Sequence, residues 1–302
     1  MQQVERRTIE KLLWKLQNGT GMVQAQAAHR LGEVGDARAV VPLIAALHSA
    51  RKPVQLQAAQ ALVSIGEPSV LPLIQVLRED TPQVWMLASA ALVKIGRPAV
   101  RPILDTLSDE SEPVRVLLLE VLGQIGDARA IEPLIQALDD PGQPVRAVAA
   151  LSLARIGEPV VLPLLAVLTD FQNEGARRHA PDIMRAIGEP VVRLLLAAMC
   201  EGGEMERNQA AWVLSRMGTP AMPALLKAID DADVRVRYAA AWALGRTGSE
   251  QAVPALIRRL ADTERSPMSG MRVCDVAARA LDTIGTPEAL AAAEGWRLSQ
   301  MM

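Results

Sequence analysis

The sequence predicts an all-α solenoid, in which pairs of helices stack one after another along the chain. A glycine that ends an apolar helical segment recurs every 30 or 31 residues, with one longer interval of 37. Prolines follow most of these glycines at fixed offsets, and no segment shows the alternation of apolar and polar residues that marks a half-buried strand. A fixed period of this length is typical of stacked helical units that each contact their neighbours.

The recurring glycines divide the chain into about nine helical pairs and one terminal segment. They are Gly35, Gly66, Gly96, Gly126, Gly157, Gly188, Gly218, Gly248 and Gly285. Because the repeat runs without interruption, we predict that residues 1–302 form a single domain, a right-handed superhelix. A C-terminal helix over residues 286–298 is expected to cap it.

The first pair is predicted between residue 4 and Gly35. Apolar residues recur at helical spacing from Val4 to Leu16. Asn18 and Gly19 are typical of a helix end, and the partner helix is predicted over residues 22–34.

The following pairs share one pattern of glycine and proline. Each repeat glycine can take the left-handed conformation that ends a helix. A proline two residues later, such as Pro68, is well tolerated in the first turn of the next helix. A second proline one turn on, such as Pro72, should kink or delay that helix. The second helix of each pair is rich in alanine, which lets neighbouring helices approach closely.

The register changes near the C-terminus. Between Leu260 and Val273 the turn is about seven residues longer, and we expect residues 263–272 to form a flexible polar insertion. Residues 287–298 then predict the final helix, with Trp296 folding back as part of the cap.

The repeating unit resembles a known family. It reads Asp/Glu, then Val-Arg-x-x-Ala-Ala-x-x-Leu-x-x-Ile-Gly, followed by Pro-Leu-Ile-x-x-Leu, and it is similar to the HEAT repeat. The match is best with the short form, about 30 residues long, named after phycobilisome lyases, and it covers residues 4–298. The resemblance implies the fold. Members of that superfamily include scaffolds, bilin lyases, a di-iron hydroxylase and DNA glycosylases.

Charged residues also recur with the repeat. Five consecutive repeats carry arginine eleven residues before the glycine, and acidic residues stand in the preceding turn. This ladder comprises Arg115, Arg146, Arg177, Arg207 and Arg237 with Asp109, Asp140, Asp170 and Asp231. A basic stripe could bind phosphates, but the acidic residues cancel the charge that such binding needs. The alternative is a structural ladder, in which each acidic residue accepts hydrogen bonds from a backbone N–H and a neighbouring arginine. HEAT repeats resemble this alternative, and we expect such a ladder to join neighbouring repeats.

The second helices carry the candidate binding surface. Positions ten, six and three residues before each glycine share one helix face, which in a solenoid of this kind lines the concave surface. In the middle repeats that face is apolar, and later it carries tryptophan, tyrosine and charged residues, a composition common in binding hot spots. The predicted partner-binding residues are Met86, Leu151, Arg178, Asp182, Arg185, Asn208, Trp212, Tyr238 and Trp242. The alternative is that Trp212 and Trp242 pack in the core.

Composition bears on several functional classes. The net charge of −2 gives no positive field for nucleic acid or acidic membranes. We see no signal peptide and no apolar run of about 20 residues, so we expect no membrane contact. His29, His48 and His179 are not followed by glutamate, so the motifs of the di-iron hydroxylase are absent, and we predict no metal and no cofactor. Cys200 and Cys274 predict free thiols in the cytoplasm.

These observations favour a protein-interaction scaffold that binds a partner segment on its concave face. The partner is another protein of unknown identity. An amphipathic helix or an extended chain would suit an apolar groove. The alternative is a bilin lyase or a chaperone that handles a chromophore, which rests on the family resemblance. A third possibility is a nucleic-acid binder similar to DNA-base glycosylases. Enzymatic activity stays open and is less favoured than binding.

Overall fold

The computed structural model describes residues 2–79, 81–169, 174–267 and 269–301. The chain divides into two compact units, Met1–Ile156 and Gly157–Met302. Each unit is a succession of helical pairs, and each is described by itself.

The described residues of the first unit form five helical pairs. The helices are α1 Gln2–Asn18, α2 Gly21–Val34, α3 Val40–Leu47, α4 Lys52–Ile65, α5 Val70–Glu79, α6 Pro82–Ile95, α7 Arg97–Thr106, α8 Glu112–Ile125, α9 Ile131–Gln136 and α10 Gln143–Ile156. Short 3-10 turns lie at Ala37–Ala39, Glu67–Ser69, Leu107–Asp109, Ala128–Ala130 and Ala137–Asp139. The turn before α5 shows how the prolines delay the first helix of a pair.

The described residues of the second unit form four pairs and a last helix. The helices are α11 Val161–Thr169, α12 Glu174–Ile187, α13 Glu189–Glu201, α14 Glu204–Met217, α15 Met222–Ala228, α16 Val234–Thr247, α17 Val253–Arg259, α18 Val273–Ile284 and α19 Pro287–Met301. Three 3-10 turns lie at Glu158–Val160, Thr219–Ala221 and Glu250–Ala252. The prediction of an all-α solenoid is confirmed, whereas the single domain and the right-handed stacking stay predictions.

The repeat glycines adopt two conformations, both with positive φ. Gly35 has φ 70° and ψ 18°, the left-handed helical conformation, and Asp36 then caps the next turn by accepting from the Arg38 N–H at 2.8 Å. Gly66 has φ 81° and ψ −133°, so it ends one helix and begins the next turn by itself. The interval that follows Gly35 is therefore one residue longer than the interval that follows Gly66. A side chain at either position would be strained.

The second helices pack most closely where a small residue stands three positions before the repeat glycine. A Cβ atom on Gly123 would lie 2.4 Å from the Cβ atom of Ser152 on the next second helix. The buried Ser152 hydroxyl donates to the Leu119 carbonyl at 3.0 Å. Gly32 and Gly245 face alanines of the next helix in the same way. Small residues thus set the distance between neighbouring repeats.

Backbone hydrogen bonds join the two arms of the inserted segment near the C-terminus, for which the sequence predicts a flexible polar turn. The Ser266 N–H donates to the Met271 carbonyl at 2.9 Å, and the Val273 N–H donates to the Glu264 carbonyl at 3.0 Å. Ser266 is fully buried. The sequence pattern does not indicate these hydrogen bonds, because they join backbone groups and leave no periodicity in the side chains.

Candidate functional site

Three second helices of the first unit each expose one large apolar side chain among polar residues. Leu56, Met86 and Leu151 occupy α4, α6 and α10 and leave 59%, 75% and 69% of their surface in water. Scattered exposed apolar residues are ordinary. Leu56 and Met86, however, both stand ten residues before their repeat glycines, whereas Leu151 stands six residues before its own. Each of these side chains loses the stabilisation that burial would give it.

A groove of about 670 Å³ lies between α4 and α6. Leu56 and Met86 line it together with Val84 and Leu87. Polar residues complete its lining: His48, Ser49, Lys52, Gln55, Thr81 and Gln83. An apolar wall with polar groups around it suits a segment that is apolar on one side.

The corresponding face of the second unit begins with charged residues on α12. Arg178, Asp182 and Arg185 are all exposed. Arg185 pairs with Asp182 at 3.1 Å and donates to the Arg216 carbonyl at 2.7 Å, at the C-terminal end of α14. A cation at the end of a helix stabilises its last carbonyl groups. Arg185 therefore supports the neighbouring helix in addition to its predicted place at the surface.

The aromatic residues of the second unit lie on α14 and α16. Trp212, Tyr238 and Trp242 are each half-buried. The Arg246 guanidinium lies 5.0 Å from the centre of the Trp242 ring, within cation–π distance. Asn208 lies on α14, and its side chain is outside the described part of the structure. Core tryptophans are seldom fully buried, so the partner-binding role of Trp212 and Trp242 stays a prediction.

Two ladder arginines join one turn to the next. The Arg115 guanidinium donates to the Asp140 carboxylate at 3.0 and 3.1 Å and to the Glu110 carbonyl at 2.9 Å. Arg237 donates to Asp262 in the following turn at 2.8 Å. It also donates to the Asp231 carbonyl of its own turn at 3.0 Å. These guanidinium donors face protein acceptors, which leaves less capacity for a phosphate.

The other ladder residues make different contacts. Arg146 donates to the Asp140 carbonyl at 2.7 Å, and Arg207 donates to the Gly202 carbonyl at 2.6 Å. The Asp231 side chain accepts from the Asp233 N–H at 2.8 Å. Arg177 is exposed on α12. Asp170 lies outside the described residues.

One repeat departs from the predicted ladder in its acidic residue. Asp109 is exposed, and Glu110 beside it is buried. The Glu110 carboxylate accepts from Arg78 at 2.6 and 3.0 Å. Arg78 lies near the end of α5, the first helix of its pair. The sequence indicates this departure at Trp85, because the preceding repeat carries this tryptophan in place of the ladder arginine, eleven residues before Gly96.

The remaining chemistry-bearing residues are few. Within the described ranges, no three His, Cys, Asp or Glu side chains are grouped so that they could hold a metal ion. Cys274 is a buried free thiol, and burial raises its pKa above the usual value. The Cys200 side chain is outside the described part.

The length and composition of the helices bear on whether the chain could cross a membrane. In the part of the chain that the structure describes, no single helix is both long enough and apolar enough to cross a membrane. Two consecutive segments, Gln143–Ile156 and Glu158–Leu168, reach the required length and composition only when taken together.

Comparison with protein families identifies the repeat. The family described as HEAT repeats matches residues 9–93, 70–154, 100–181, 131–206 and 193–269. The resemblance seen in the sequence is therefore confirmed. No curated protein matches the chain.

Several solved structures are similar to this chain at low identity. Human deoxyhypusine hydroxylase in complex with glycerol is 22% identical, with 84% of this chain and 99% of that one covered and a TM-score of 0.33. The complex of CpcE and CpcF of phycocyanin lyase from Nostoc sp. PCC7120 is 22% identical, with 58% and 97% covered and a TM-score of 0.31. Kap121p is 16% identical, with a TM-score of 0.37. The match to Kap121p covers 100% of this chain but 39% of that protein.

Proposed function

The chain belongs to the HEAT-repeat family, and on this premise we propose that it is an interaction scaffold that binds a protein partner on the exposed faces of its second helices. The proposal places this function in the cytoplasm, because Cys274 is a free thiol and reduced thiols are usual there. Each unit supplies its own surface.

The observation that carries the proposal is the apolar surface of the first unit. Leu56 and Met86 line the groove between α4 and α6, and each is more than half exposed. Full burial of such a side chain contributes about 1.5–3 kcal/mol. A partner that covers both side chains gains part of this free energy. The occupant that fits is an amphipathic helix or an extended segment whose apolar side faces the groove.

The second unit would bind through aromatic and charged groups. Trp212, Tyr238 and Trp242 would supply contact area, with the exposed Arg178 and Asp182 as polar neighbours. Tryptophan, tyrosine and arginine are the residue types most often found in binding hot spots. Half-buried rings also lose little conformational entropy when a partner covers them.

The test compares two apolar surfaces of the same unit. Leu56→Ser with Met86→Ser removes the second-helix surface, whereas Leu71→Ser removes a leucine of α5 that is 57% exposed. Tagged wild-type and variant chains are used to capture proteins from native lysate, and quantitative mass spectrometry compares the captured proteins. We expect the double variant to lose a specific protein that wild type and Leu71→Ser retain. Equal capture by all three chains would contradict the proposal.

A further inference from the structure

The inserted hairpin, whose described residues are 262–267 and 269–273, is fixed to the rest of the second unit. Arg237 on α16 donates to Asp262 at 2.8 Å and pairs with Glu264 at 3.1 Å. Arg265 and Arg272 form an antiparallel bridge, and the Arg265 guanidinium donates to the Gly270 carbonyl at 2.7 Å. The hairpin can therefore hold side chains in defined positions.

A pocket of about 450 Å³ lies between the hairpin, α18 and α19. Three arginines and one carboxylate line it: Arg265, Arg279, Arg297 and Asp275. Trp296 forms an apolar part of the wall. The Arg272 guanidinium lies 5.9 Å from the centre of that ring.

Two of the pocket's charges are compensated within the protein. Asp275 pairs with Arg272 at 2.8 Å, and Arg297 pairs with Asp282. Among the described residues, no carboxylate lies within ion-pair distance of Arg265 or Arg279. Arg279 donates to the Met271 thioether at 3.9 Å, which is a weak contact. The lining itself, with three arginines and one carboxylate, carries a formal excess of two positive charges, and Asp275 also attracts Arg265 electrostatically.

We propose that this pocket binds a phosphate monoester, with Arg265 and Arg279 as the groups that hold the phosphate. A phosphate monoester carries a charge of about −1.5 to −2 at neutral pH, which matches the local excess. The planar fork of arginine donates two parallel hydrogen bonds to phosphate oxygens. The Trp296 ring gives apolar surface to the organic part of the ester. The phosphate could belong to a phosphorylated side chain of a protein or to a small metabolite.

The test measures binding to the intact chain by titration calorimetry at constant ionic strength. The probes are inorganic phosphate, a phosphoserine peptide with its unphosphorylated form, and ribose 5-phosphate. The variants are Arg265→Gln, Arg279→Gln and the double substitution, with Arg193→Gln as a control for the loss of an exposed arginine outside the pocket. Melting temperatures establish that each variant is folded.

We expect saturable binding of at least one phosphate ester, weakened about fivefold or more by either single substitution and abolished by the double one. Arg193→Gln should bind as wild type does. Arg279→Lys keeps the charge without the fork, so it should fall between wild type and Arg279→Gln. A tighter complex with the phosphopeptide would identify a protein source, and a tighter complex with ribose 5-phosphate a metabolite. Absence of binding by wild type, or equal binding by the double variant, would overturn the proposal.

Discussion

Arg237 is the ladder residue whose removal should matter most, because it is nearly inaccessible to water. Its guanidinium donates to Asp262 at 2.8 Å and to the carbonyl groups of Asp231 and Ala232 at 3.0 and 2.8 Å. Arg237→Ala leaves two carbonyls without this donor, and it leaves the largely buried Asp262 carboxylate paired with the more distant Arg259, at 3.6 Å. Breaking a buried ion pair by removing one partner costs about 3–5 kcal/mol. We expect a loss in that range at neutral pH.

The pH dependence gives this prediction a second signature. Burial raises the pKa of the Asp262 carboxyl, but the hydrogen bonds from Arg237 and the Glu264 N–H outweigh it and hold that pKa below its usual value. Such a carboxyl contributes stability above its unfolded pKa of about 3.9. That contribution is lost as the pH falls through the folded-state pKa. In Arg237→Ala the effect of burial is less opposed, so the pKa of Asp262 rises. The difference in free energy between wild type and variant should therefore shrink on acidification.

Urea unfolding followed by circular dichroism, at neutral pH and at about pH 3, measures both effects. Because repeat arrays can unfold in parts, hydrogen exchange of α16 and α18 should accompany it. Arg258→Ala is the matched control, since Arg258 makes an exposed pair with Asp230 at 3.3 Å that should contribute about 1 kcal/mol or less. The reasoning is refuted if Arg237→Ala costs no more than Arg258→Ala, or if its cost does not change with pH.

Two further predictions concern packing between repeats. Arg146→Ala should lower the free energy of unfolding by about 1 kcal/mol and leave partner affinity unchanged, because its described contacts are with turn carbonyls. A collapse of affinity at constant melting temperature would show that the ladder binds a ligand. Gly123→Ala should destabilise the chain by about 1–3 kcal/mol, because its Cβ would overlap Ser152. Gly295→Ala on α19 meets nothing within 4 Å and should be neutral or stabilising by up to about 1 kcal/mol. Equal melting temperatures for these two variants would contradict the packing argument.

The helical pairs were predictable because a glycine that ends a helix recurs in every repeat. Gly66 and Pro68 mark a turn, and the apolar residues between such turns can satisfy only a helical period. The second-helix surface was accessible to the same reasoning, since the position of Met86 within its repeat predicts the face on which it lies. The structure gives this side chain the exposure that a binding role requires.

Contacts specific to one repeat could not be predicted in this way. The pair of Arg78 and Glu110 joins the end of a first helix to a turn 32 residues later, and no periodic rule relates these positions. The order of the inserted hairpin comes from backbone hydrogen bonds around the buried Ser266. The residues there, including Pro267 and Gly270, are equally common in flexible turns.

The affinity of a purified partner for tryptophan variants tests the central claim most directly. Trp212→Ala and Trp242→Ala remove rings from the second-helix face, and Trp14→Ala removes an exposed ring of α1 as the control. Truncating a hot-spot tryptophan costs about 2 kcal/mol or more. The scaffold account therefore predicts about tenfold weaker binding or more for the first two variants, with a small loss of stability and no change for Trp14→Ala. A large loss of stability with intact affinity would place both rings in the core and contradict it.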